Sequence, residues 1–161
     1  MMKKLFLLLL ISIVFVSCNN SGNTNKDAAA NTNQSGAVVV KPEHLNEDAF
    51  RKKVFDYTSG KEWKYIGDKP CIIDFYADWC SPCRRLGPVL EELAQEYKDQ
   101  IYVYKVNTDQ NPNVSAYFSI QSIPAVFFCP MNDKPQVMVG LYQKEDYVKI
   151  INDLLLKPTG K

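Results

Sequence analysis

The residues best placed to do chemistry are two cysteines in the pattern Cys80-Ser81-Pro82-Cys83, which follows an apolar run and precedes a segment with helical periodicity. At the start of a helix, unpaired backbone N–H groups and the helix dipole stabilise an anion. Cys80 is therefore expected to ionise readily and to attack disulfides as a thiolate. Cys83, one turn further on, is expected to reach the same sulfur and resolve the mixed disulfide. Pro82 suits the first turn, where its missing N–H is not needed.

Two other interpretations of this pair are a permanent structural disulfide and half of a zinc site. Closing a loop of four residues restricts the unfolded chain only slightly, so such a disulfide would stabilise the fold little. A zinc site with four protein ligands needs two more of them, and the sequence contains no second C-x-x-C and no C-x-x-H. The spacing therefore favours a redox-active pair and no bound metal.

Hydrophobic patterning predicts the elements that must position the pair. Residues 71–77 form an apolar run typical of a strand buried on both faces, and the apolar stripe over 86–97 predicts an amphipathic helix. Asn46 is expected to cap an earlier helix, whose apolar face would contain Phe50, Val54 and Tyr57.

The remaining predicted elements are strands at 38–40, 101–106, 125–129 and 136–142 and helices around 114–118 and 147–155. A short loop joins the last two strands, which should therefore run antiparallel. This order predicts an α/β fold in which a mixed central β-sheet is flanked by helices on both faces.

The segment around the cysteines, residues 73–84 (IDFYADWCSPCR), resembles the active-site segment of thioredoxins. The similarity extends over about residues 44–156. Residues 105–112 (KVNTDQNP), the pair Ile123-Pro124 and Gly140 occur in the family's order and spacing. The resemblance implies a thioredoxin fold over residues 38–161 and a protein-disulfide oxidoreductase without a cofactor. The chain resembles in particular the extracytoplasmic thioredoxins of Bacteroides-like bacteria.

The resemblance also implies a proton acceptor. Asp74 matches the family's buried carboxylate beneath the cysteines and would accept the proton of Cys83. An acid within an apolar strand tends to keep a proton near neutral pH, because burial penalises its charge. Lys105 matches the lysine near that carboxylate. The alternatives are a carboxylate that only accepts hydrogen bonds from loop N–H groups and a surface lysine at the strand edge.

Substrate-binding roles are implied for residues around the pair. Pro124 matches the family's cis-proline, which faces the cysteines, and the backbone at Ile123 would pair with an extended substrate segment. Trp79 is expected to lie partly exposed over the site. The complete implied set is Trp79, Ser81, Pro82, Ile123, Pro124 and Gly140.

Several positions depart from the family pattern. Ser81 replaces the usual glycine between the cysteines, and its hydroxyl is expected to shift the redox potential. Ala125 follows the proline where threonine is common, and residues 58–70 are longer than usual. Cys71 and Cys129 lie in predicted core strands, where cysteine behaves as a small hydrophobe; a disulfide between them is the alternative.

The sole histidine, His44, is distant along the chain from Cys80 and Cys83. A catalytic Cys–His arrangement is therefore not expected.

The N-terminus has the pattern of an export signal. Lys3 and Lys4 precede an apolar run over 5–16, which is shorter than the roughly 20 residues of a membrane-spanning helix. The sequence 15–18 (FVSC) resembles a bacterial lipobox. Residues 1–17 are thus predicted to be a signal peptide and 18–37 a lipidated Cys18 with a flexible polar tether. A cleaved signal followed by an unmodified Cys18 is the alternative.

Composition limits the partners. The 19 basic and 18 acidic residues leave a net charge of +1, so no overall field would attract nucleic acid. The expected partners are protein disulfides, a membrane electron donor or acceptor, and the membrane itself through Cys18. We expect a monomer in the cell envelope, facing the periplasm and acting more as a reductase. An envelope oxidase or isomerase and a non-catalytic peptide- or metal-binding module are the alternatives.

Overall fold

The computed structural model describes residues 39–157. The predicted signal peptide (1–17), Cys18 and the tether up to residue 37 lie outside the described residues. The described strands are β1 (Glu43–His44), β2 (Cys71–Tyr76), β3 (Tyr102–Asn107), β4 (Ala125–Cys129) and β5 (Gln136–Val139). The described helices are α1 (Glu47–Lys53), α2 (Ser81–Glu96), α3 (Pro112–Tyr117) and α4 (Lys144–Ile150), the last continued by a π-helical turn over Ile151–Leu155.

The five strands form one mixed sheet in the order β1-β3-β2-β4-β5. Strands β1 and β2 run parallel to β3, whereas β4 is antiparallel to both β2 and β5. Helices cover both faces. Apolar residues of α1 and α3 share one core with alternate residues of the sheet, and residues of α2 and α4 share the other. The predicted α/β architecture, with an antiparallel pair at its end, is confirmed.

Strand β2 is the centre of the sheet and is buried along most of its length. Because side chains alternate between the two faces of a strand, Ile73 and Phe75 point into one core while Ile72 and Asp74 face α2 and α4. The chain leaves β2 and enters α2 within a few residues. This connection places the cysteine pair at the carboxyl end of the central strand.

The first strand lies later in the chain than predicted. Val39 and Val40 are not in a strand, and β1 is instead the short pair Glu43–His44. The Val40 N–H donates to the Gln95 side chain of α2 (2.8 Å), so this segment lies against a helix rather than along β3. The β-propensity of the valines is therefore overridden by tertiary contacts.

Two further boundaries differ from the predictions. Asn46 caps α1 as expected, accepting a hydrogen bond from the Ala49 N–H (2.8 Å). However, α1 ends before Tyr57, because Asp56 caps a separate 3₁₀ turn over Tyr57–Ser59. Strand β5 ends at Val139, because Gly140 adopts a positive φ of 105° that interrupts extended backbone.

The segment 58–70 completes one core. Tyr65 is buried, and Trp63 packs against the same core while its Nε1 donates to the Asp133 carbonyl (3.2 Å). Ile66, in the same segment, is 48% exposed.

Cys71 and Cys129 are directly opposite each other on β2 and β4, fully buried, and both are free thiols. They are core residues and form no disulfide. Among the helices of residues 39–157, none is both long and apolar enough to cross a membrane.

Candidate active site

The first turn of α2 contains the reactive pair. Cys80 is the N-cap residue, and its sulfur accepts a hydrogen bond from the Cys83 N–H (3.2 Å). The two residues form a disulfide with a Cα–Cα distance of 5.3 Å, which lies within the ordinary range for such bonds. Pro82 occupies the first turn and Ser81 is exposed beside it. In the reduced protein, the same N–H would stabilise a Cys80 thiolate.

The surface around the pair leaves little of it open to solvent. Cys80 is 4% exposed and Cys83 is 2% exposed. Trp79 is 70% exposed, and its Nε1 donates to Oδ2 of Asp109 (2.9 Å). The predicted exposure of Trp79 beside Cys80 is confirmed.

The segment before β4 brings three predicted residues to the same place. The Ile123–Pro124 peptide bond is cis, as the resemblance implied. The Cys80 sulfur lies 3.8 Å from the Ile123 carbonyl oxygen, and the Ile123 side chain packs against the small core around both cysteines. The Gly140 N–H donates to the Pro124 carbonyl (2.8 Å), so Gly140 supports the cis-proline from the end of β5.

Asp74 is completely buried on the face of β2 that α2 covers, and neither of its carboxylate oxygens has a hydrogen-bond partner among the described residues. The alternative of a carboxylate that accepts loop N–H groups is therefore wrong. Burial raises the pKa of Asp74 to about 7, although the positive charge of Lys105 acts in the opposite direction. A carboxyl group with such a pKa is equally able to accept and to release a proton near neutral pH.

Lys105 lies beside this carboxyl group. It is opposite Asp74 in the register of β2 and β3, and its Nζ is 3.9 Å from Oδ2 of Asp74. Its side chain is only 15% exposed, and its ammonium lies 4.3 Å from the centre of the Tyr76 ring. The alternative of a surface lysine at a strand edge is wrong.

His44 is closer to the site than its sequence position indicated. It is opposite Lys105 in the register of β1 and β3, and its Nδ1 is 3.1 Å from the Tyr76 hydroxyl. It lines the same cleft as Cys83. The ring binds Tyr76 rather than a cysteine, so no Cys–His pair forms. The parallel pairing of the first strand with the third is the signal that would have indicated this proximity.

The described residues contain no group of three or more His, Cys, Asp or Glu side chains arranged to hold a metal ion.

A model of the thioredoxin family matches residues 41–153. The chain belongs to the thioredoxin family. It is 46% identical over 109 residues to a thioredoxin from Borreliella burgdorferi, a match that covers 68% of this chain and 93% of that protein. It is 34% identical over 121 residues to an M-type chloroplastic thioredoxin from Chlamydomonas reinhardtii, covering 74% and 79% of the two chains. It is 37% identical over 100 residues to thioredoxin 1 from a Nostoc species, covering 62% and 84%.

Membership of this family and the bonded cysteine pair together identify the chemistry. The thioredoxin domain is a thiol–disulfide oxidoreductase whose disulfide joins Cys80 and Cys83. The redox interpretation of the C-x-x-C pattern and the predicted thioredoxin fold are both confirmed.

Proposed function

We propose that this thioredoxin reduces protein disulfides in the cell envelope, to which it is anchored through a lipidated Cys18. Cys80 is the nucleophile, Cys83 resolves the mixed disulfide, and Asp74 accepts the proton of Cys83. The observation that carries the proposal is the Cys80 sulfur at the N-cap of α2, within hydrogen-bond distance of the Cys83 N–H and bonded to the Cys83 sulfur.

The reaction balances in two exchanges. The Cys80 thiolate attacks one sulfur of a substrate disulfide, forms a mixed disulfide and releases the other substrate sulfur as a thiolate. Cys83 then loses its proton to Asp74 and attacks the Cys80 sulfur, which releases the second substrate thiolate. The substrate gains two electrons, and the enzyme ends as the Cys80–Cys83 disulfide. A dithiol donor in the membrane must return two electrons for the next cycle.

The substrate would be seated by the residues that surround the nucleophile. Trp79, Ser81 and Pro82 form the surface on one side, and the backbone at Ile123 and Pro124 lies on the other, with Gly140 behind it. The backbone at Ile123 would pair with an extended peptide, which is the recognition mode of strand addition. The placement in the envelope and the likeness to extracytoplasmic thioredoxins rest on the signal-like N-terminus and the lipobox-like sequence before Cys18.

Reduction of insulin disulfides tests the catalytic proposal. We expect Cys80→Ser to abolish activity and Cys83→Ser to accumulate a mixed disulfide with the substrate, while Cys71→Ala, which changes a cysteine outside the pair, remains active. Activity retained by Cys80→Ser would overturn the assignment of the nucleophile.

The direction of electron flow is tested by the reduction potential of the Cys80–Cys83 pair, measured by equilibration with a glutathione buffer. A reductase should have a value near the roughly −270 mV of thioredoxin, whereas a value near −120 mV would indicate an oxidase.

The anchor is tested by metabolic labelling with a radioactive fatty acid, followed by separation of membrane and soluble fractions. Cys18→Ala should lose both the label and the membrane fraction. A labelled Cys18→Ala protein, or an unlabelled wild-type protein, would reject lipidation at this residue.

A further inference from the structure

One row of the sheet carries polar residues from three strands. His44 on β1, Lys105 on β3 and Asp74 on β2 are directly opposite one another in the register, so their side chains emerge on the same face. Tyr76, two residues after Asp74, also points to this face. Its ring lies 4.3 Å from the Lys105 ammonium, and its hydroxyl lies 3.1 Å from Nδ1 of His44.

A surface cleft of about 580 Å³ opens beside this row. Cys83 lines the cleft, and so do His44, Tyr76 and Lys105, whereas Asp74 does not. Lys105 therefore lies between the cleft and the buried carboxyl group. Any change in the distance between its ammonium and Asp74 therefore changes the electrostatic interaction between the two groups.

We propose that Tyr76 is a positioning residue for proton transfer at Asp74, because its ring holds the Lys105 ammonium within reach of the carboxylate while His44 anchors its hydroxyl. This inference rests on the proposed role of Asp74 as proton acceptor. It assigns Tyr76 and His44 no contact with the substrate or with either sulfur.

The physical reason lies in the flexibility of lysine. An ammonium on a four-carbon side chain is strongly hydrated and would extend into the open cleft unless something held it. The face of an aromatic ring attracts a cation within about 6 Å, and a hydrogen bond through the hydroxyl restricts the ring in turn. At 3.9 Å, the ammonium favours the ionised form of Asp74, and this effect weakens as the charge moves away.

The ionisable groups that interact with Asp74 are Lys105 on β3, Tyr147 on α4 and Tyr76 on β2 itself. The cleft beside them is lined by further ionisable groups, which are His44 on β1, Asp78 after β2, and Cys83, Arg84 and Glu91 on α2. Cys83 is bonded to Cys80 in the oxidised protein. Burial raises the pKa of Tyr147, which is therefore neutral near pH 7. Lys105 is the group whose charge lowers the pKa of Asp74.

The test compares two substitutions of Tyr76 in the oxidised protein. Tyr76→Leu removes the ring, and Tyr76→Phe keeps the ring but loses the hydroxyl. The measurement is the midpoint of Asp74 ionisation, followed by ¹³C NMR of the aspartate carboxyl carbons and assigned with Asp74→Asn. We expect Tyr76→Leu to raise the midpoint by about half a pH unit, the scale of an exposed cation–π contact. Tyr76→Phe should raise it less.

The activity should follow the ionisation. A rise of about half a unit from a pKa of about 7 lowers the ionised fraction of Asp74 at pH 7 from one half to roughly one quarter. The rate at which Cys83 resolves a mixed disulfide at pH 7 should therefore fall about twofold, and the pH profile should shift upward by the same amount as the NMR midpoint. A purely structural role of Tyr76 would change the rate without moving the midpoint.

Two controls isolate the path through Lys105. Tyr102→Leu removes the other lysine–tyrosine contact, in which Lys69 lies 5.3 Å from the ring, and it should leave the midpoint unchanged. In a Lys105→Met background, Tyr76→Leu should produce no further shift. A folded Tyr76→Leu protein with the wild-type midpoint, or an equal shift in the Lys105→Met background, overturns the inference.

If Tyr76→Leu fails to fold, Tyr76→Phe and His44→Ala test the inference instead. Each removes the same hydrogen bond, so both should raise the midpoint by a similar small amount and their combination should add nothing. Wild-type midpoints in both would overturn the inference. Failure of the proposed function is a separate outcome, because an inactive wild-type protein in the insulin assay leaves the NMR midpoints measurable.

Discussion

Asp74 and Lys105 face each other across neighbouring parallel strands, with Nζ of the lysine 3.9 Å from Oδ2 of the aspartate. The carboxyl group is fully buried, and the lysine side chain is 15% exposed. Burial raises the pKa of Asp74, and the positive charge of Lys105 lowers it. Burial has the larger effect, so this pKa lies at about 7 rather than near 4. The charge of this carboxyl group therefore changes near neutral pH.

The first prediction concerns stability. Because the folded pKa of Asp74 lies above the unfolded value, the unfolded chain releases this proton first as the pH rises. Stability is therefore lost between about pH 4 and pH 7, by roughly 1.4 kcal/mol per unit and about 4 kcal/mol in total. Asp74→Asn should remove this dependence and become more stable than the wild type above pH 7.

Urea unfolding of the oxidised protein at pH 4, 6 and 8 measures this effect. Asp99→Asn, a change of an exposed aspartate, is the control and should alter stability by no more than about 0.5 kcal/mol at any of these values. A constant difference between wild type and Asp74→Asn from pH 4 to pH 8 would show that the carboxyl group is not perturbed by burial.

The second prediction concerns the resolving step. Asp74→Asn should slow disulfide reduction by roughly a hundredfold or more at pH 8, where the wild-type carboxylate is ionised, because Cys83 loses its proton acceptor. The difference should shrink below pH 6, where the wild-type group is itself protonated. Stopped-flow kinetics with a mixed disulfide preformed on Cys80 isolates this step; equal pH profiles for the two proteins would exclude the role of Asp74.

The third prediction concerns the two thiols outside the pair. Cys71 and Cys129 are fully buried, and burial with the neighbouring thiol raises the pKa of Cys129. In an oxidised Cys18→Ala protein, a thiol reagent should modify neither cysteine in the folded state and both after unfolding in urea. Mass spectrometry counts the labels; fewer than two after unfolding without reductant would indicate a disulfide between them.

The fourth prediction concerns backbone conformation. Gly140 has a φ of 105°, although an added Cβ would meet no atom closer than 4.0 Å. Gly140→Ala should therefore destabilise the fold by about 1 kcal/mol through backbone strain alone. Gly87→Ala is the matched control, because this glycine lies inside α2, and alanine there should stabilise by about 0.5–1 kcal/mol. Thermal unfolding gives both values, and a neutral Gly140→Ala would contradict the strain argument.

The fifth prediction concerns Trp79. Its indole is exposed and held by a hydrogen bond to Asp109. Asp109→Ala should release the ring, change the Trp79 fluorescence and raise KM for a protein disulfide, with a change in stability below about 1 kcal/mol because the bond is on the surface. An unchanged KM despite a mobile indole would show that the position of Trp79 does not affect substrate binding.

Much of the fold was predictable because its elements have clear patterns. Strand β2 is an uninterrupted apolar run, α2 has an apolar stripe, and the loop before β5 requires an antiparallel return. Val39 and Val40 do not form the strand predicted at 38–40, and the reason is physical. Their local preference for extended structure does not specify a partner, and Val40 finds one in Gln95, distant in the sequence.

Part of the candidate site was likewise predictable from local sequence, and part depends on strand pairing. The spacing of Cys80 and Cys83 and the helix that follows them are local features, so their proximity was predictable. The partners of Asp74 depend on strand register, and the resemblance to thioredoxins supplied Lys105 as its neighbour. His44 is distant from the cysteines along the chain, and its nearness to Lys105 is created by the pairing of β1 with β3.

The sequence alone shows that this chain resembles thioredoxins and that its two cysteines lie at the start of a helix. Residues three apart in the first turn of a helix are close in space, so the proximity of the two sulfurs is a local feature. The environment of Asp74 required the folded sheet. Whether a carboxyl group holds its proton depends on how completely water is excluded and how near an ammonium lies, and both are settled by chain segments that meet only when β2, β3 and α2 pack.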